Sequence, residues 1–108
     1  MMSVIVEVSN FVLKDGVSEQ DFLSVSEQFN REFMSRQKGF ISSTLLEKDG
    51  KYLELDVWAS MDDLENARKA APGHPMTSQW FDLVDVDIAE DVPLYRLVRT
   101  EENKLERQ

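Results

Sequence analysis

His74 is the only histidine in the 108-residue sequence, and hence the only side chain that titrates near neutral pH without help from its surroundings. In a pocket it would be the natural base for a phenol or an enol. It stands between Gly73 and Pro75, where it could equally start a helical turn. A second group is Tyr52, Glu54, Asp56 and Trp58, which alternate along one run. On a strand all four share one face, and that face combines aromatic surface with two carboxylates, as a pocket wall would. The competing reading has Trp58 capping the core and both carboxylates in water.

Glu7 interrupts an otherwise apolar run, Val4 to Val8. It must face a pocket, pair with a base such as Arg96, or lie at a wet interface. Asn10 raises the same question, and Trp80 suits either the core or a pocket rim. The candidate catalytic residues are thus His74, Trp58 and Glu7, and the candidate substrate contacts are Asn10, Asp56 and Trp80. Serine and aspartate are abundant, and nothing in their spacing fixes a Ser/His/Asp arrangement.

Composition removes several classes of function. Twelve basic against twenty-one acidic residues leave a formal charge of −9, which repels a phosphate backbone, so nucleic acid and anionic membranes are poor partners. There is no cysteine, hence no disulfide, no thiolate nucleophile and no thiolate metal ligand. No stretch approaches the ~20 apolar residues of a membrane span, and the N-terminus lacks the pattern of a secretory signal. A cytosolic protein is expected. Asp85, Asp87, Glu90 and Asp91 could offer oxygen ligands to calcium, but their spacing matches no ligand loop and a solvated acidic edge is the better reading. The four glycines stand at turns and element ends, not in a phosphate loop. No metal or cofactor is called for.

The elements that must position these residues can be read in order. Val4 to Leu13 is a first strand closed by Lys14, Asp15 and Gly16. Ser18 with Asp21 has the form of a capping box, and Phe22, Val25, Phe29 and Phe33 recur at helical spacing. Arg36 and Lys38 suit the helix C-terminus, with Gly39 ending it. Phe40 to Lys48 and Lys51 to Ala59 are two strands joined by Asp49 and Gly50, a type I′ hairpin signal. Ser60 with Asp63 opens a second helix carrying Leu64, Ala67 and Ala71; Pro72 and Gly73 interrupt it, and Pro75 starts another turn or two with Met76, Trp80 and Leu83 inward. A last strand runs through Val84, Val86, Ile88, Val92, Leu94 and Leu97, and Pro93 assigns it to an edge or a bulge.

This order, βαββαβ, predicts an α+β, ferredoxin-like sandwich over residues 1–99, an antiparallel sheet with both helices on one face, followed by a charged tail over 100–108. Neither face of the first strand is polar. Val4, Val6, Val8 and Val12 lie on one side and Ile5, Phe11 and Leu13 on the other. With helices on one side only, a second copy of the same sheet is the simplest cover for the other, so a homodimer is expected.

With these elements in place the chain resembles the dimeric α+β barrel superfamily, and within it the antibiotic biosynthesis monooxygenase-like domains. Val57-Trp58-Ala59-Ser60, then Asp62, Asp63 and Leu64, is similar to the Trp-x-Ser that closes the third strand there. Pro72-Gly73-His74-Pro75 is similar to the histidine-bearing segment of the second helix region, and Gly39-Phe40 to the entry of the second strand. The resemblance spans about Val4 to Leu97. It implies a dimeric α+β barrel whose members include cofactor-independent oxygenases of quinol-like aromatics, haem-degrading enzymes and proteins without known activity. The haem-degrading branch uses an Asn on the first strand, a Trp ending the third and a His on the second helix. Trp58 fits that pattern, whereas Asn10 is one position out of phase with the turn at Gly16 and His74 comes late. The leading expectation is therefore a cofactor-independent monooxygenase acting on a small aromatic or quinol-type compound. A non-catalytic dimer that binds a small apolar ligand is the alternative, and haem binding is a more distant one.

Overall fold

Serine caps begin the two longer helices. Ser18 accepts the Asp21 N–H through Oγ at 3.1 Å, and Ser60 accepts that of Asp63 at 3.2 Å. Each bond satisfies one of the orphan donors of a helix N-terminus. The computed structural model describes residues 3–86 and 92–103. Its elements are β1 (Ile5–Leu13), α1 (Glu19–Glu32), β2 (Phe40–Lys48), β3 (Lys51–Trp58), α2 (Met61–Ala70), α3 (Pro75–Phe81), β4 (Val84–Val86) and β5 (Leu94–Arg96), with 3₁₀ turns at Met34–Arg36 and Ala71–Gly73. None of the described helices is long and apolar enough to cross a membrane.

The strands form one antiparallel sheet in the order β2-β3-β1-β4, with β5 also paired to β1. This is the expected ferredoxin-like arrangement, with β1 at its centre. Asp49 and Gly50 join β2 to β3 at φ 52° and 80°, the paired positive values that a two-residue type I′ hairpin demands.

Two features depart from the sequence reading. First, α1 stops at Glu32, earlier than Arg36 and Lys38 suggest. The Ser35 hydroxyl donates to the Arg31 carbonyl and the Gln37 amide to that of Phe33, so side chains satisfy the terminal carbonyls and the backbone tightens into a 3₁₀ turn. Second, the single last strand is two short ones at opposite ends of β1: β4 lies against Phe11 to Leu13 and β5 against Ile5 to Glu7. Pro93 sits outside both, at the sheet edge, and its carbonyl accepts the Val8 N–H at 3.0 Å. Ile88 and the acidic Asp87, Glu90 and Asp91 fall outside the described residues, as does the tail from 104 onward.

Gly39 serves a different purpose from ending α1. It enters β2 at φ 83°, and a Cβ there would overlap the Asp63 carboxylate at the start of α2. Gly39→Ala therefore combines a left-handed backbone with a steric clash and should cost on the order of 2 kcal/mol. The check is a lower urea midpoint with an unchanged m-value.

The helix-facing side of the sheet is organised in three bands. At one end Phe11, Phe22, Tyr52, Trp80 and Val84 form an apolar cluster; at the other Phe33, Met34, Trp58, Leu64 and Ala67 form a second. The register places Phe11 opposite Tyr52 in the first band and Ile5 opposite Trp58 in the second. Between them lie the pairs Glu7–Asp56 and Ser9–Glu54, so the middle of this face is polar. Tyr52 locks the first cluster by donating its phenolic O–H to Glu19 at 2.6 Å, and that bond, with burial, pushes its pKa up to about 12. On the opposite side of the sheet Val12, Leu46 and Tyr95 are exposed.

Candidate functional site

The polar band floors a cavity of about 770 Å³ between the sheet and the helices, within the size range of small-ligand sites. Glu7 and Ser9 of β1 and Glu54 and Asp56 of β3 form the floor. Phe29, Trp80, Phe81, Ala71 and Pro72 line the helical side, and Val86, Val92 and Leu94 the edge near β4 and β5. Strand alternation explains the floor: odd positions of β1 and even positions of β3 face the helices, and the two clusters fill the ends, leaving the middle open.

The carboxyls are not equivalent. Glu7 accepts two hydrogen bonds from Arg68 of α2, at 3.2 and 2.7 Å, and forms an ion pair with it. Arg68 stands at the cavity mouth with 44% of its side chain exposed, against 15% for Glu7. Glu54 and Asp56 have no ion-pair partner among the described residues. Burial raises the pKa of Glu54 to about 8, helped by the charge of Asp56, by a hydrogen bond between the two carboxyls and by the charge of Glu7, while Ser43 opposes the rise. Burial likewise raises Asp56 to about 6, with Ser43 and Glu54 restraining it and Glu7 adding to it. Near neutral pH the pair thus holds a single proton. Asp56 is 5% exposed, and its Oδ1 has no hydrogen-bond partner among the described residues.

Of the six residues singled out from the sequence, the cavity brings together Glu7, Asp56 and Trp80. Glu7 pairs with Arg68, not with Arg96, which lies opposite Ile5 on β5. Trp58 is 1% exposed in the second cluster, edge-on to Phe40 at 5.3 Å, and does not line the cavity. Its indole Nε1 has no hydrogen-bond partner among the described residues. His74 caps α3: its Nδ1 accepts the Met76 N–H at 3.1 Å, and its ring packs 5.5 Å from Phe33, away from the cavity lining. Asn10 is exposed in a shallower groove beside Leu46, Lys51 and Leu53. Its even position in β1 turns it from the carboxyls, the consequence of a one-residue phase difference. Glu54, Ser9 and Arg68 complete the site. Glu54 shares the phase of Asp56 and so was visible in the alternation of β3, whereas no local signal connects Arg68 with Glu7.

No protein-family model matches the chain, and no curated protein does. Solved structures do. SnoaB, a cofactor-independent oxygenase from Streptomyces nogalater, is 24% identical over 91% of this chain and 96% of its own, with a TM-score of 0.72. A candidate antibiotic biosynthesis monooxygenase from Bordetella bronchiseptica is 18% identical over 92% and 99%, with a TM-score of 0.66. A conserved protein from Methanosarcina mazei is 15% identical over 88% and 93%, at 0.63. The similarity covers about nine-tenths of this chain in each case. The chain thus shares its ferredoxin-like α+β fold with these solved structures, SnoaB and the candidate antibiotic biosynthesis monooxygenase among them.

Proposed function

We propose that the protein is a cofactor-independent monooxygenase that takes a small aromatic or quinol-type compound into the cavity between sheet and helices. The observation that carries this reading is the side-by-side placement of the buried Asp56 and half-buried Glu54 carboxyls on the floor of an aromatic-walled cavity, where burial raises the pKa of both. The similarity to SnoaB supports the same reaction class.

An ionised carboxylate on that floor accepts the proton of an aromatic hydroxyl, and its raised pKa makes it a better base than an ordinary carboxylate. The resulting electron-rich anion reduces dioxygen by one electron, and the ring radical and superoxide combine at a ring carbon. That carbon keeps one oxygen atom. The other leaves as water with the two hydrogens lost from the carbon and from the hydroxyl, so the quinol becomes a quinone. Trp80 and Phe29 hold the ring, and the apolar wall they form with Phe81 and Leu94 favours productive collapse over leakage of superoxide.

The test is oxygen uptake with a panel of anthrone and hydroquinone substrates, without added flavin, metal or haem, under isotopically heavy oxygen. One labelled atom in the product and one in water per turnover is the expected result. Measurable binding without uptake above the uncatalysed rate would instead establish the non-catalytic, ligand-binding reading.

A homodimer belongs to this proposal. Val12, Leu46 and Tyr95 are exposed on the helix-free face, beside the partly buried Val4, Val6 and Val8. A second copy of that face is the complement of closest character. Light scattering should give twice the 12.5 kDa chain mass, and Leu46→Glu combined with Tyr95→Glu should give a folded monomer.

A further inference from the structure

We propose that the compound bound in the cavity is an aromatic carrying a protonated amine, with the ammonium hydrogen-bonded to Asp56 and the ring against Trp80 and Phe81. This rests on the cavity reading above and names which ligand that site selects.

The floor carries three carboxyls and the described lining a single cation, Arg68, which Glu7 already engages through two hydrogen bonds. Asp56 is left with a buried Oδ1 that no group among the described residues satisfies. An unpaired buried acceptor costs roughly 1–3 kcal/mol, recovered when a ligand supplies a donor. A carboxylate ligand would bring a further acceptor and a like charge. A neutral hydroxyl would satisfy one lone pair. An ammonium brings several donors and the missing charge together, beside a carboxyl that is 5% exposed and therefore weakly screened. Trp80 and Phe81, edge-to-face at 5.0 Å, offer π surface that also favours a cation.

Selection for an amine also divides labour within the pair. Without ligand, burial and mutual repulsion keep one proton on it. The groups facing it leave that proton in place: β2 contributes the neutral Ser43, α1 Phe29, α3 Thr77 and Trp80, and α2 the guanidinium already held by Glu7. An arriving ammonium supplies the balancing charge, and Glu54 releases its proton to solvent. Asp56 then holds the amine while Glu54 is free to accept the proton of the aromatic hydroxyl.

Calorimetry under nitrogen, with three catechols bearing an aminoethyl, an ethyl or a carboxyethyl arm, tests this in two buffers of different protonation heat. At pH 7 the aminoethyl compound should bind roughly tenfold or more tighter than either other, with release of close to one proton. Asp56→Asn should abolish the preference. Glu54→Gln should keep the preference and abolish the proton release, which preserves the test if the first variant does not fold. Equal or tighter binding of the ethyl or carboxyethyl compound, amine binding without proton release, or no binding of any of the three would each overturn the proposal. Because no oxygen is present, the outcome is separate from oxygenation: amine preference without oxygen uptake sinks only the oxygenase reading, and turnover of neutral quinols without amine preference sinks only this one.

Discussion

Asp56→Asn should lower kcat for a neutral quinol about a hundredfold or more while leaving KM within a few-fold. The substitution preserves shape and hydrogen-bonding capacity but removes the member of the pair that ionises more readily, leaving Glu54, on which burial holds the proton when no cation is bound. Wild-type kcat/KM should rise with pH through about 6, where Asp56 ionises, and the variant should lose that limb. His74→Ala provides the contrast. Its Nδ1 is committed to the Met76 N–H and its ring to Phe33, so its loss should cost about 1 kcal/mol of stability through the missing cap and leave turnover within a few-fold of wild type. Oxygen-electrode rates for the two variants decide the matter. A full rate for Asp56→Asn, or a collapse for His74→Ala, would move the chemistry off the carboxyl pair.

That contrast shows where the sequence was informative and where it was silent. Local signals translated directly: Ser18 and Ser60 are helix caps, Asp49-Gly50 is the hairpin turn, and β1 lies at the sheet centre. Phase along β3 put Glu54, Asp56 and Trp58 on one face, and the register with β1 explains their different fates. Trp58 falls opposite Ile5, where α2 packs down, while the two carboxyls fall opposite Glu7 and Ser9, where the helices leave a gap. Alternation gives a face; only tertiary packing decides which stretch of that face is open. Arg68 and Glu7 are 61 residues apart, and nothing local couples an arginine on one helix to a strand carboxylate rather than to solvent. His74 attracted attention for its chemistry, but its position just before Pro75 made it a cap. The broken last strand follows from Pro93, which has no N–H for a ladder and whose carbonyl alone bonds to β1.

The stability of the free protein should fall as pH rises from 5 to 8.5, the reverse of ordinary acid denaturation. Glu54 and Asp56 have folded pKa values above those of the unfolded chain. Over that interval the folded state retains protons that the unfolded state has released, so each step up in pH favours unfolding. Their stabilising contribution is complete below about pH 4 and is lost as pH climbs through about 6 for Asp56 and about 8 for Glu54. The combined loss amounts to several kcal/mol, enough to lower Tm by about 10 °C or more for a domain of this size. Glu54→Gln removes the more strongly shifted group, so it should raise Tm at pH 8.5 by about 10 °C, change it little at pH 5 and flatten the slope between. A wild-type Tm that climbs with pH, or a variant that keeps the wild-type slope, would mean that the pair is not strained by burial. A variant more stable yet less active would show the reason for that strain: the second carboxyl is held where a charge is costly so that a bound substrate, not the fold, supplies its compensation.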